Sequence, residues 1–75
     1  MTLNQAKKNT LCCVVDCNTS DQSLKLRLYE IGFFVGAKVK ILSYSLGRKT
    51  LLVKVLDSCF AIKNNIASVI EVKYE

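Results

Sequence analysis

Apolar positions change their period several times along this chain, and each change marks an element. Leu11–Cys17 is a β-branched and cysteine-rich run that ends in Asn18-Thr19-Ser20-Asp21, the composition of a strand followed by a turn. From Ser20 the spacing switches, with Leu24, Leu28 and Ile31 at i, i+4 and i+7 while Lys25, Arg27 and Glu30 fall off that stripe. With Ser20 or Asp21 as a cap and Gly32 as a left-handed stop, this spacing predicts a helix of about three turns. After Phe33-Phe34-Val35-Gly36, a two-residue period begins: Val39 and Ile41 alternate with Lys38 and Lys40, a strand with a solvated face. Ser45-Leu46-Gly47-Arg48 turns the chain into Leu51, Val53 and Val55, which alternate with Leu52, Lys54 and Leu56. Asp57-Ser58 turns it again into Cys59–Ile62. Asn64–Ser68 fits one helical turn, and Ile70, Val72 and Tyr74 alternate with Glu71 and Lys73. About five short strands, a helix after the first and a helical turn before the last predict a mainly β fold, a small closed or nearly closed barrel.

Seventy-five residues, 51% hydrophobic and 23% charged, are expected to form a single globular domain over 1–75. A domain of this size withdraws only about 60 to 65% of its unfolded surface from water, which favours a binding role over a deep catalytic cleft. Met1–Thr10 is polar and Lys-bearing, unlike a secretory signal, and no apolar run approaches the roughly 18 residues of a membrane span. The expectation is a cytoplasmic chain without direct membrane insertion, whose four cysteines are reduced thiols.

The charge balance, 11 basic against 6 acidic residues, gives +5 with no block of like charges. Such a surplus suits an acidic protein face, nucleic acid or an anionic membrane surface. Lys38 and Lys40, with Arg48 and Lys49 in the next turn, are its densest part; the bland alternative is a solvated edge strand whose lysines block unwanted pairing. The chain contains no His, no Ser or Cys has an identifiable base, and the carboxylates fall in turns or on solvated faces, so no catalytic residue and no enzyme activity is expected. The Gly32-x-x-x-Gly36 spacing lacks a following Lys-Ser/Thr and reads as a helix stop and a turn rather than a phosphate loop. Cys13 and Cys17 on one strand share a face but lie about 13 Å apart, and Cys12 faces the other way, too far for thiolates on one metal ion. No metal ligand and no cofactor is therefore expected.

The stretch Arg27-Leu28-Tyr29-Glu30-Ile31-Gly32-Phe33-Phe34-Val35-Gly36-Ala37-Lys38-Val39-Lys40-Ile41 resembles the signature of the ferrous-iron transport protein A family, FeoA. In that family a helix ending in Arg-Leu-x-x-Leu-Gly leads through a short link and a second Gly into a strand. Val53–Asp57, Phe60-Ala61-Ile62 and Ala67–Val72 are similar to the family's later strands, so the resemblance runs in order over roughly residues 3–75. Val35 stands where the family's link usually carries a proline, and the cysteine-rich first strand is untypical. The resemblance implies an SH3-like barrel acting as a cytosolic accessory to FeoB, the membrane ferrous-iron transporter with a GTP-binding domain. Similar domains end iron-dependent repressors, where they mediate protein contacts, so the barrel alone does not define a role.

On that reading the partner-binding residues are Leu26, Arg27 and Phe34. Phe33 occupies a usually buried position, whereas Phe34 falls where a small polar residue is commoner; its ring either anchors an interface or folds back over the barrel end. One helical stripe cannot bury Leu24, Leu26, Leu28 and Tyr29 together, and Leu26 lies off the stripe. Weak self-association is compatible with the same contacts. Two other readings are a nucleic-acid-binding module, drawing on Tyr44, Arg48 and Tyr74, and a thiolate metal sensor.

Overall fold

A computed structural model describes residues 1–75. Its strands are β1 (Leu11–Cys17), β2 (Lys38–Tyr44), β3 (Thr50–Val55), β4 (Ser58–Lys63) and β5 (Ile70–Tyr74). Helix α1 (Gln22–Ile31) follows β1, and the single turn α2 (Asn64–Ala67) precedes β5. All neighbours are antiparallel, in the order β4-β3-β2-β1-β5. The mainly β architecture is the one the periodicity predicts, as one curled sheet whose outer strands, β4 and β5, are joined through α2 rather than paired.

Strict alternation fills the sheet's inner face. Val39, Ile41, Leu51, Val53 and Val55 are buried, and with Cys12, Val14, Ile62, Ile70 and Val72 they supply ten of the sixteen residues of one core cluster. Val14, Val39 and the other β-branched residues suit these strands because their stiff side chains pack well on a pleated surface. Two β-bulges interrupt the alternation, between Val14 and Asp16 and between Ile41 and Ser43. Each inserts one residue and so exchanges the faces beyond it. The first brings Cys17 opposite the buried Ile70; the second brings Tyr44 opposite the buried Leu51.

Asp21 caps α1, its carboxylate accepting from the Leu24 N–H at 3.1 Å. The helix stops at Gly32, where φ is +128°. The Gly32 N–H donates to the carbonyls of Leu28 and Tyr29, and the Phe33 N–H to that of Leu28, so the last carbonyls of the helix are satisfied. A side chain at Gly32 would also crowd the sheet, its Cβ 3.1 Å from Leu56 Cδ1 and 3.3 Å from Val55 Cγ2. Ahead of β1, a short 3-10 turn at Leu3–Gln5 buries Leu3 and Ala6 in the core.

Candidate partner-binding site

The link after α1 is pinned to the sheet by its backbone. The Gly36 N–H donates to the Val14 carbonyl at 2.8 Å, the Val14 N–H to Ala37 at 2.9 Å, and the Ala37 N–H to Phe34 at 2.9 Å. This tight turn decides where the two phenylalanines go. Phe33 turns into the core, as its apolar position implied, while Phe34 stays 37% exposed. Its ring packs on Tyr29, with centroids 5.7 Å apart and planes tilted by 54°, a favourable aromatic arrangement. Val35 and Tyr29 are 71% and 63% exposed, and Leu26, one helical turn before Tyr29, is 59% exposed. Together they form an uncovered apolar ridge along one flank of α1 and over its end. Beneath Phe34 and Tyr29 opens a groove of about 360 Å³, lined also by Asp16, Cys17 and Lys25.

Leu26 and Phe34 thus share one flank, bridged by Tyr29. Arg27 does not join them: it lines a second groove of about 280 Å³ on the opposite flank, with Leu24, Ile31, Ile62 and Ile66. The helical step of about 100° per residue separates them, since consecutive residues do not face the same way. Tyr29 and Val35 are the members of the ridge that sequence reasoning did not name as contacts; for Tyr29 the signal was present in the surplus of apolar residues on α1.

The cysteine geometry needs one correction. The bulge in β1 means that Cys13 and Cys17 do not share a face: Cys17 packs against the core, whereas Cys13 stands on the outer face opposite Lys38 and Lys73. Burial pushes the Cys12 and Cys17 thiols above their ordinary value of 9.0, with Lys25 pulling Cys17 partly back and Asp16 adding to the rise. Cys59 lies exposed on β4, three strands from β1. No three His, Cys, Asp or Glu side chains gather where they could hold a metal ion.

The basic strand differs from its bland reading too. β2 is the central strand of the sheet, not an edge, so its lysines are not there to block strand pairing. Lys40 stands directly opposite Lys54, and Lys38 pairs with Glu75. Tyr44 and Tyr74 are occupied structurally. The Tyr44 hydroxyl donates to the Ala6 carbonyl at 2.6 Å, and the Lys7 N–H donates to the Tyr74 hydroxyl at 3.0 Å. Desolvation raises the Tyr44 phenol above its ordinary 10.0, against the lowering pull of the Arg48 guanidinium.

The FeoA domain profile matches residues 1–74, nearly the whole chain. The chain belongs to the FeoA family. A Helicobacter pylori protein provisionally named Fe(2+) transport protein A is 32% identical to this FeoA domain over 73 residues, which cover 97% of this chain and 96% of its relative. The structure of Stenotrophomonas maltophilia FeoA complexed with zinc, described as a prokaryotic SH3 domain protein, superposes with a TM-score of 0.85 at 28% identity. That match covers 97% of this chain and 89% of the other. A manganese-dependent transcriptional repressor shares the fold at a TM-score of 0.89 and 13% identity, over 36% of its own length. The SH3-like barrel and the link to ferrous-iron transport stand on these likenesses, and the repressor shows the same barrel built into a longer chain of another kind. No helix of this chain is long and apolar enough to cross a membrane.

Proposed function

We propose that this FeoA domain is a cytoplasmic, non-enzymatic interaction module that docks on the cytosolic part of a FeoB-type ferrous-iron transporter and modulates Fe(II) uptake, recruited by that partner to the inner face of the membrane. The observation that carries the reading is the ridge of Leu26, Tyr29, Phe34 and Val35: four large apolar side chains on one side of α1 that the barrel leaves uncovered. Aromatic and aliphatic anchors beside a groove are the usual energetic centre of a protein interface. Lys25 at the groove wall, and Arg27 on the far flank, add positive charge that steers an acidic partner.

The test is capture of the full-length transporter, in gentle detergent and reducing buffer, by the tagged 75-residue chain. Phe34→Asp and Leu26→Asp are each expected to weaken capture about tenfold or more, with Arg27→Ala having the smaller effect. Circular dichroism and thermal melting of all three variants are expected to match the parent. Undiminished capture by both apolar variants would remove the ridge from the interface.

A further inference from the structure

We infer that the groove between the N-terminal segment and the β2–β3 turn is a binding site for a small, multiply charged phosphate. The site lies apart from the apolar ridge and does not depend on the transporter-docking role. At about 660 Å³ it is the largest groove in the molecule, and its wall contains Lys7, Lys8 and Arg48 but no carboxylate. The two ion pairs of the structure, Met1 amine with Glu71 and Lys38 with Glu75, leave these three cations unneutralised.

Arg48 is held in place. Its guanidinium lies 4.3 Å from the centre of the Tyr44 ring, a cation–π contact that fixes the fork without using its N–H donors. Its backbone sits in the left-handed region at φ +56°, right after Gly47 at +77°. That conformation is locked by its N–H donating to Ser45 at 2.9 Å and by the Asn64 side-chain amide donating to its carbonyl at 2.9 Å. Across the groove, the Tyr44 hydroxyl holds the Ala6 carbonyl and the Tyr74 hydroxyl receives the Lys7 N–H, which fixes the path of the lysine pair. Asn9, just beyond, also has positive φ, at +62°, as does Leu56, at +55°, in the turn between β3 and β4 away from this groove. A planar guanidinium and two lysines lining the same groove, together with the hydroxyl-bearing Ser43 and Ser45, match an anion of several charges with tetrahedral oxygens. Three unneutralised cations suit a pyrophosphate-like group better than a single carboxylate.

The experiment is a titration of the isotopically labelled full chain with pyrophosphate at moderate salt, followed by amide chemical shifts, with a short single-stranded oligonucleotide titrated in parallel. Saturable shifts confined to residues 5–8 and 43–49 are expected. Arg48→Asn, chosen because asparagine tolerates the left-handed backbone, is expected to weaken binding about tenfold or more. Tyr44→Phe, which keeps the ring but frees Ala6, is expected to weaken it less. Lys40→Gln removes the same charge outside the groove and is expected to change affinity by less than about twofold, since salt screens it. If Arg48→Asn fails to fold, the Lys7→Gln/Lys8→Gln double variant provides the same reading. Shifts spread over every lysine-bearing surface, equal losses in Lys40→Gln and the groove variants, no saturation with pyrophosphate, or tight binding of the oligonucleotide alone would each overturn the assignment.

Discussion

Strand β3 and helix α1 are both rich in large apolar residues, yet they use them in opposite ways. In β3 the alternation is complete: Leu51, Val53 and Val55 are buried, and what faces out is Leu52 and Lys54. In α1 only Leu28 is buried, while Leu24 and Ile31 are partly covered and Leu26 and Tyr29 stand in solvent. The sheet satisfies its own hydrophobic residues; the helix carries more than the barrel can cover. Stability therefore resides in the sheet wall and capacity for association at the helix end, a division that mutation can test.

The largest effect is expected from Leu51→Ala, which removes a fully buried side chain from the wall and is expected to cost about 2–5 kcal/mol in urea unfolding. A loss below about 1 kcal/mol would mean that the wall gives way around the cavity and does not carry the stability assigned to it. Gly32→Ala strikes where the two regions meet. It combines an unfavourable φ with crowding against Leu56 and Val55, and is expected to lower stability by about 1–3 kcal/mol. Unchanged melting would show that the helix end is not fixed by that contact.

Alkaline pH separates the regions by titration. Burial holds Cys12, Cys17 and Tyr44 in their protonated forms above the ordinary 9.0 and 10.0. A raised folded-state pKa contributes stability that is fully present below the unfolded value and disappears as pH rises through the folded one. Urea midpoints are accordingly expected to be insensitive to these groups at neutral pH and to fall above about 9. Cys12→Ala is expected to flatten that fall. The smallest effect belongs to the outer face. Lys40→Glu turns a like-charged cross-strand pair with Lys54 into an opposite one, with a gain of about 0.2–1 kcal/mol at low salt that fades as salt is added.

The strands and α1 were legible in the sequence because period two and period 3.6 are imposed by backbone geometry, and here β3, β4 and β5 keep period two throughout while β1 and β2 keep it up to their bulges. What escaped reading were single-residue insertions. A bulge leaves no mark in composition, so the turning of Cys17 toward the core became visible only through its pairing with Ile70. Leu3 and Ala6 were hidden for a different reason: two apolar residues among polar neighbours show no period, and their burial depends on the 3-10 turn and the hold of the Tyr44 hydroxyl. At the site, the surplus of apolar residues on α1 pointed to Leu26, and the link to Phe34. The separation of Arg27 from both required the direction in which the barrel cuts across the helix, which no local pattern specifies.

The placement of β1 inside the sheet, between β2 and β5, governs how this chain reaches its fold. Its neighbours are β2, across the helical connection, and β5, whose Val72 pairs with Val14 from the far end of the sequence. Closing so long a loop costs entropy before any contact rewards it, and chains dominated by such pairings fold slowly. The β2–β3–β4 hairpins can zip early from local contacts, but the first strand keeps one open edge until the last has been made. During synthesis, therefore, the core stays incomplete until Ile70 and Val72 have left the ribosome. Until then it is the exposed edge of β1, rather than the ridge on the finished surface, that most needs protection from other chains.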